Sequence, residues 1–294
     1  MKEFKDKVAV ITGAASGIGR GLARRAAREG MKVVLADIEM NALNKTKEEL
    51  KRSGTNVISV LVDVSKLEDI EKLARITIET FGEVHLLCNN AGVGMGGFLW
   101  DCTLSDWKWV IGVNLWGVIH GIRTFIPIMR QQDNDCHIVN TASMSGLITG
   151  EAANGIYSVT KHGVVALSES LRTSFAQMKT KIGISVVCPG IVNTKITDCE
   201  RNRPAELCGP DYEPSRERFL KRYPKAEESV NAYVKMYEEG TSPDQAGDVI
   251  FECIKKNIFY IFTETGSNWK EYMKTRFEGI LKDFEQNKPI IDRL

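Results

Sequence analysis

The segment KVAVITGAASGIGRGLARRAAREG, from Lys7 to Gly30, decides the fold of this chain of 294 residues. Its apolar, β-branched run at Lys7–Thr12 predicts a strand, and Ala and Leu at helical spacing after Gly17 predict a helix ending near Gly30. The glycine-rich turn between them lets the backbone bend tightly. Because the N-terminus of a helix attracts anions, strand, turn and helix in this order predict a pyrophosphate-binding site.

The alternation of strand and helix continues along the chain. Further apolar strands are predicted at Lys32–Asp37, Asn56–Asp63, Val84–Gly92, Cys136–Ser143, Ile182–Gly190 and Ile258–Thr263. Near-continuous apolar strands separated by helices predict a parallel sheet covered on both faces. Right-handed crossovers then give an α/β, doubly wound Rossmann-type sheet of about seven strands. The absence of a linker or a shift in composition favours a single domain over residues 1–294.

Two segments depart from this alternation. Residues 195–240 are polar, contain four prolines, and are long for a connection, which predicts a lid over a substrate site. Residues 266–294 form a C-terminal helical extension with aromatic and aliphatic side chains at helical spacing. The favoured interpretation is a helix packed on its own domain, and the alternative is a subunit contact.

Composition excludes several classes of function. The formal net charge is +1 without a basic block, so neither nucleic acid nor an acidic membrane surface is expected as a partner. Seven cysteines show no C-x-x-C or Cys/His ligand spacing, which favours free thiols in a reducing cytoplasm and no metal site. No signal peptide is apparent, and the apolar stretch Trp109–Ile122 is too short for a membrane span and predicts a buried helix.

Asp37 ends the second predicted strand, where an acidic side chain can accept hydrogen bonds from adenosine ribose hydroxyls. It would repel a 2′-phosphate, and no Arg or Lys occurs at Ala14–Ser16 or at Ile38 to offset this. NAD is therefore the expected cofactor, and NADP is less favoured. Asp63 ends the third strand and either meets the adenine edge or caps the next helix beside Ser65, its predicted N-cap.

Polar groups also follow the later strands, whose carboxyl ends should share one sheet edge. These groups are NNAG (Asn89–Gly92), TASMSG (Thr141–Gly146) and PG (Pro189–Gly190). Tyr157 and Lys161 lie four residues apart at the start of the helix after the fifth strand, so they share a helical face. Asn114 lies among apolar residues inside a long helix and, if buried, needs hydrogen-bond partners.

In this order the motifs resemble those of the short-chain dehydrogenase/reductase family. They are T-G-x-x-x-G-x-G at Thr12–Gly19, N-N-A-G, Asn114, Ser143, Tyr157-x-x-x-Lys161 and Pro189-Gly190. The resemblance is close from about Lys5 to Thr194 and looser to Thr263. It implies an oxidoreductase that transfers a hydride between a nicotinamide cofactor and an alcohol or ketone.

The resemblance also implies roles for single residues. Tyr157 is the general acid/base; Lys161 binds the nicotinamide ribose and lowers the Tyr157 pKa. Ser143 orients the substrate oxygen, and Asn114 holds a water that links Lys161 to solvent. Because the Ser–Tyr spacing is one residue longer than is common in the family, Ser145 competes with Ser143. The implied cofactor-binding residues are Gly13, Ser16, Gly17, Ile18, Gly19, Asp37, Asp63, Val64, Asn90, Ala91, Gly92, Tyr157, Lys161, Pro189, Gly190, Val192 and Thr194.

The substrate is expected to be an uncharged, hydrophobic secondary alcohol or ketone. Met95, Phe98 and Trp100 offer apolar surface beside the cofactor, although Trp100 could equally belong to a core or an interface. No Arg or Lys occurs between Val93 and Trp107 to bind an anion.

Two other functions stay open at this point: an NADPH-dependent ketone or keto-acyl reductase, and a catalytically silent nucleotide-sensing protein. The resemblance further implies a homodimer or homotetramer, assembled through the long helix around Trp109–Met129 and the helix that carries Tyr157.

Overall fold

The glycine-rich segment folds as predicted into a strand, a turn and a helix. In the computed structural model, which describes residues 1–148, 154–210, 212–266 and 268–292, strand β1 spans Val8–Thr12 and helix α1 spans Gly17–Arg28. The helix ends where Gly30 adopts a φ of +75°, a left-handed conformation that costs glycine little.

The other described strands and helices follow in near-regular alternation. The strands are β2 (Lys32–Asp37), β3 (Val57–Leu61), β4 (Leu86–Asn89), β5 (Cys136–Thr141), β6 (Ile182–Val187) and β7 (Tyr260–Ile261). The helices are α2 (Met40–Arg52), α3 (Leu67–Phe81), α4 (Leu104–Ile111), α5 (Gly117–Gln132), α6 (Gly155–Met178), α7 (Ser215–Arg222), α8 (Glu227–Glu238), α9 (Pro243–Lys255) and α10 (Trp269–Ile291). A π-helical turn at Gly112–Trp116 joins α4 to α5.

The seven strands form one parallel sheet in the order β3-β2-β1-β4-β5-β6-β7. Strand β1 lies in the interior, where Val10 is in register with Val34 of β2 and Leu87 of β4. The strand order reverses between β1 and β4, and ligands of such sheets bind at the carboxyl edge beside that point. The predicted doubly wound fold is thus confirmed.

Both faces of the sheet are covered, so alternate residues of β1 enter different cores. Val8 and Val10 pack with residues of α3, α5 and α6, whereas Ala9 and Ile11 pack with α1, α2 and α9. All five residues of β1 are buried. Burial on both faces explains why the strand is apolar throughout rather than alternating.

The helix between β4 and β5 is longer than the apolar stretch Trp109–Ile122. Leu104–Gln132 is continuous and, by length and composition alone, could cross a membrane, a test that the core helix of a soluble protein also passes. Val118, Phe125 and Met129 are buried in the core beneath the sheet. This packing accounts for the apolar sequence and agrees with the predicted buried helix.

One predicted helix start was wrong, and one predicted packing contact holds only in part. Helix α3 begins after Lys66, its N-cap, and Ser65 instead donates its Oγ hydrogen to Asp63 (2.7 Å). Helix α10 packs on its own domain near its start, where Trp269 and Met273 contact the main core, although none of its described residues is fully buried.

Candidate active site

The glycine-rich turn forms one end of a cleft at the carboxyl edge of the sheet, of about 1250 Å³ including the solvent at its mouth. Gly13 (φ +67°) and Gly17 (φ +51°) have left-handed backbones that disfavour a side chain. A Cβ atom on Gly19 would lie 2.0 Å from the Gly13 carbonyl oxygen. Ser16 and Ile18 line the cleft, so the positive end of α1 faces it.

Asp37 lines the same end of the cleft and is 9% exposed. Its carboxylate accepts hydrogen bonds from the backbone N–H groups of Ala15 and Glu39, each at 2.9 Å. Burial raises the pKa of Asp37, and the two backbone donors oppose that rise. Since a carboxylate has about four acceptor positions, Asp37 can still accept from a ligand hydroxyl.

The N-N-A-G segment is joined to the turn through Thr12. The Thr12 Oγ1 atom accepts hydrogen bonds from the N–H groups of Asn90 (2.9 Å) and Ala91 (3.0 Å). The Asn90 Nδ2 atom donates to the Thr12 carbonyl (3.0 Å). These bonds explain why a hydroxyl and an amide stand at the ends of the adjacent strands β1 and β4.

Asp63 lines the cleft wall and also organises its own loop. Its Oδ1 atom accepts from the N–H and the Oγ of Ser65. Both interpretations left open by the sequence therefore apply in part: Asp63 faces the cleft and fixes the turn before α3.

Tyr157 and Lys161 stand together in the cleft, as their spacing on α6 predicts. The Lys161 Nζ atom lies 5.4 Å from the centre of the Tyr157 ring and donates to the Thr141 carbonyl oxygen at 2.9 Å. Lys161 is 3% exposed, and burial lowers its pKa to about 8. The buried ammonium therefore favours negative charge nearby more strongly than it would in water.

Ser143, rather than Ser145, lines the cleft. Strand β5 ends just before it, and its Oγ atom accepts a hydrogen bond from the Ser145 N–H at 3.1 Å. Ser145 is buried one turn further along the chain, in the short helix Met144–Gly146. The geometry therefore favours Ser143 of the two candidates.

Asn114 is fully buried in the π-helical turn behind the cleft. Its side chain accepts from the Val93 N–H (2.8 Å) and donates to the Val93 carbonyl (2.9 Å) and to Thr160 Oγ1 (3.2 Å). Asn114 thus fixes the chain after N-N-A-G against α6. A Cβ atom on Gly92 would lie 3.4 Å from both Asn114 Oδ1 and Lys161 Nζ, so these polar atoms flank Gly92.

The segment after β6 covers the cleft from the other side. Pro189, Gly190, Val192 and Thr194 line it, and a Cβ atom on Gly17 would lie 3.0 Å from Thr194 Cγ2. Residues 195–240, the predicted lid, contain short 3-10 helices together with α7 and α8.

The lid is attached at both ends of the cleft. At the Asp37 end, Arg201 and Asn202 donate to Glu39 Oε1 at 2.6 and 2.9 Å. At the other end, the Cys199 thiol donates to the Gly94 carbonyl (2.8 Å) and accepts from the Gly94 N–H (3.2 Å). The lid thereby connects the two loops that a ligand would contact.

Most predicted site residues meet in this one cleft. Its walls include Gly13, Ser16, Gly17, Ile18, Asp37, Asp63, Val64, Asn90, Ala91, Gly92, Ser143, Tyr157, Lys161, Pro189, Gly190, Val192 and Thr194. Gly19 and Asn114 support it from behind.

The three predicted substrate residues, Met95, Phe98 and Trp100, are not among the described residues that line this cleft. Met95 is buried in a small core with Trp109. Phe98 stacks on Trp100 (4.8 Å between ring centres), and Trp100 is 74% exposed. Lining residues missed by the sequence analysis are Ile38, Glu39, Val62, Val93, Trp109, Val113, Thr141, Ala142, Lys195, Ile196, Cys199, Arg201, Asn202, Pro204 and Tyr237. Those between Lys195 and Tyr237 lie in the polar, proline-containing segment 195–240, which the sequence predicts as a lid but without naming single residues.

Comparison with known proteins agrees with this geometry. The family model for short chain dehydrogenases matches residues 7–205. The chain belongs to the short-chain dehydrogenase/reductase family, whose members use nicotinamide cofactors, and it is an oxidoreductase.

Individual relatives resemble the chain over nearly its whole length. A CLA biosynthesis dehydrogenase/reductase of Lactiplantibacillus plantarum is 33% identical over 99% of both chains. A C alpha-dehydrogenase of Sphingobium sp. SYK-6 is 34% identical over 97% of this chain and 86% of its own. A short chain dehydrogenase/reductase from Burkholderia phymatum, solved in complex with NAD, superposes with a TM-score of 0.89 at 42% identity, covering 96% of this chain and 97% of that one.

The residues present suit a nicotinamide dinucleotide. Side chains at Gly13 or Gly17 would narrow the turn that would hold a pyrophosphate. Asp37 offers acceptors at one end of the cleft, and Lys161 offers donors at the other. Asp37 would hold the adenosine ribose, and Lys161 and Tyr157 the nicotinamide ribose.

Proposed function

We propose that the protein interconverts an uncharged, hydrophobic secondary alcohol and its ketone with NAD(H), using Tyr157 as general acid/base. The observation that carries this proposal is the meeting of Ser143, Tyr157 and Lys161 in one cleft whose far end is lined by Asp37. When bound, the cofactor supplies the hydride acceptor or donor.

The proton is handled by the chain's own residues. A free tyrosine has a pKa of about 10 and is a weak base at neutral pH. The Lys161 ammonium, 5.4 Å from the Tyr157 ring, favours the phenolate, which can take the hydroxyl proton of an alcohol. Ser143 orients the same oxygen by a hydrogen bond. In reduction, Tyr157 returns a proton to the forming alkoxide.

Asp37 supports NAD over NADP. Its carboxylate is nearly buried at the end of β2 and suits two ribose hydroxyls, whereas a 2′-phosphate would place like charges together. Arg201 and Lys195 also line the cleft, which favours the alternative of an NADPH-dependent reductase. However, Arg201 is already paired with Glu39. The ratio of kcat/KM for the two cofactors decides between these functions.

The apolar part of the cleft wall supports a hydrophobic substrate. Val93, Trp109, Val113, Ile196 and Cys199 contribute apolar or weakly polar surface to the cleft. The two basic lid residues that line the cleft, Lys195 and Arg201, interact with Glu39, which follows Asp37 at the adenosine end. A carboxylate on the substrate would find no comparable partner in the apolar wall.

Assembly and compartment are part of the same proposal. Trp116 and Val159 are each 50% exposed beside α5 and on α6, and support a homodimer or homotetramer through these helices. All seven cysteines are free thiols, which suits a reducing compartment such as the cytoplasm.

A panel of uncharged and anionic ketones, assayed with NADH and NADPH, tests the proposal. We expect activity with hydrophobic uncharged ketones and NADH. Tyr157→Phe should lower kcat by about 10²- to 10⁴-fold while still binding NADH. Tyr272→Phe, an exposed tyrosine on α10, is the matched control. Wild-type turnover by Tyr157→Phe, or preference for anionic substrates, would contradict the proposal.

A further inference from the structure

Helix α10 presents large apolar side chains to solvent over most of its length. Every residue from Phe277 to Asp292 is exposed. Phe277 is 50% exposed, Ile280 52%, Leu281 63% and Phe284 69%. Such a continuous apolar surface on a soluble protein marks an interaction site.

Among the residues that the structure describes, contacts between this helix and the rest of the chain lie near its start. Trp269 and Met273 pack on the main core, and Trp269 Nε1 donates to Glu264 at 2.8 Å. Arg276 donates to the Leu147 carbonyl at 3.0 Å. Beyond this point every described residue of the helix is exposed, and an isolated helical segment of this length is marginal in water.

The apolar residues follow a heptad pattern. Positions alternately four and three apart carry Met273, Phe277, Ile280, Phe284, Asn287 and Ile291. This spacing places all six side chains on one seam of the helix, which is the pattern of a helix that packs against another helix. Leu281 and Ile290 flank the seam and widen it.

We propose that α10 pairs, parallel and in register, with α10 of a second copy of the chain. The seam is self-complementary, so a twofold axis along the paired helices buries the same side chains on both copies. Residues that are exposed in the single chain thus become the core of a two-stranded coiled coil.

The charges beside the seam favour the parallel orientation. In that orientation Asp283 faces Lys288 of the second copy, and the symmetry repeats this opposite-charge pair. An antiparallel arrangement centred on Leu281 instead places Lys274 near Lys288, both basic. The parallel pairing also sets Asn287 against Asn287 of the second copy, where the two amides can hydrogen-bond each other.

The same charges disfavour a membrane surface as the occupant. Five basic and five acidic side chains lie between Trp269 and Asp292. Helices that lie on anionic membranes are rich in Lys and Arg on their polar face. The balance on α10 suits another protein helix better.

Cysteine cross-linking of the full chain tests the orientation directly. Ile280→Cys and Phe284→Cys are oxidised separately and resolved on a non-reducing gel. In a parallel in-register pair, the cysteine of one chain lies opposite the same cysteine of the second chain. Both variants should therefore form covalent dimers nearly completely. In an antiparallel pair with residue 280 opposite itself, residue 284 would lie about 12 Å from its copy along the axis, too far for a disulfide. Glu285→Cys, off the seam, and the parent chain with its seven cysteines are the controls.

Light scattering of Phe277→Glu/Phe284→Glu provides the second measurement. We expect its molecular mass to be half that of the parent chain, whereas Lys282→Gln, on the outer face, should leave the mass unchanged. The proposal would be overturned if the double variant kept the mass of the parent chain. It would also be overturned if the mass changed but either cysteine variant failed to form a covalent dimer. A monomeric parent chain that binds anionic phosphatidylserine vesicles would overturn it as well. A dimer formed through α5 and α6 would not produce the two cross-links. The test measures assembly alone, so its outcome does not depend on whether the proposed reaction is correct.

Discussion

Asp106 and Arg203 form a buried ion pair that joins the lid to α4. The Arg203 Nη1 atom donates to Asp106 Oδ1 at 2.7 Å, and the side chains are 2% and 0% exposed. Arg218 adds a second contact to Asp106 at 2.6 Å. The Arg203 guanidinium also lies 5.3 Å from the ring centre of Trp109, which lines the cleft. The pair therefore links the position of the lid to a wall of the proposed substrate site.

Asp106→Ala should destabilise the protein and impair the lid. Burial alone would raise the pKa of Asp106, but the Thr103 N–H and Arg203 more than offset it and lower the pKa. Removing one partner of a buried pair leaves the other charge uncompensated, at a cost of about 3–5 kcal/mol. Urea unfolding measures this loss, and KM for the ketone should rise more than kcat falls. Asp133→Asn, which breaks the exposed pair with Lys181, is the control and should leave the free energy of unfolding nearly unchanged.

Asp37→Asn/Glu39→Gln should shift cofactor use towards NADPH. The first change removes the charge that repels a 2′-phosphate, and the second releases Arg201 from its 2.6 Å contact with Glu39. Each step should favour NADPH, and the double variant should raise its kcat/KM relative to NADH by about 10²-fold, on the order of 3 kcal/mol. Glu39→Gln alone should have the smaller effect, because Asp37 remains. An unchanged ratio in the double variant would show that Asp37 and Arg201 do not select the cofactor.

Ser143→Ala and Ser145→Ala should separate the two candidate serines. Loss of a donor to the reacting oxygen typically lowers kcat by about 10²- to 10³-fold. Ser143 lines the cleft, so we expect that loss for Ser143→Ala. Ser145→Ala should retain kcat within a few-fold, because Ser145 is buried beside the cleft. The reverse result in steady-state assays would assign the role to Ser145.

The fold and the cofactor side of the cleft could be predicted because their signals are local. The turn at Gly13–Gly19 follows β1 directly, Asp37 ends β2, and Tyr157 and Lys161 share a face at the start of α6, the helix that follows β5. Parallel strands bring their carboxyl ends to one edge, so position along a strand was enough to place these residues together.

The substrate side could not be predicted in the same way. Trp109 reaches the cleft from α4, and Ile196 comes from the lid, far away in the sequence. The sequence places Phe98 in the pocket because it follows the cofactor loop. In the structure the centre of its ring lies 5.6 Å from the ring centre of Phe219 and 5.1 Å from that of Tyr223. Aromatic packing between the lid and this loop decided its orientation, and no local pattern encodes that contact.

The Lys161 ammonium should make stability depend on pH in a specific window. The pKa of Lys161 is lowered by burial from its ordinary value of 10.5 to about 8. Between these values the unfolded chain holds the proton and the native protein does not, so this group makes stability rise with pH across the window. Below about pH 8 both states are charged, and the native protein bears the full burial cost of roughly 3 kcal/mol.

Lys161→Met removes this cost along with the charge. Without nucleotide, the variant should have a higher free energy of unfolding than the parent chain at pH 7. Loss of the hydrogen bond to the Thr141 carbonyl lowers that free energy by the same amount at every pH and so does not change the trend. The variant's advantage should shrink steadily as the pH rises from about 8 towards 10.5, since the parent chain then sheds the proton. Urea unfolding of both proteins at pH 7, 8, 9 and 10 measures the difference, and Lys270→Met, at an exposed position, serves as the control. A difference that stays constant over this range would mean that Lys161 titrates in the native protein as it does in water, and that burial does not tune it.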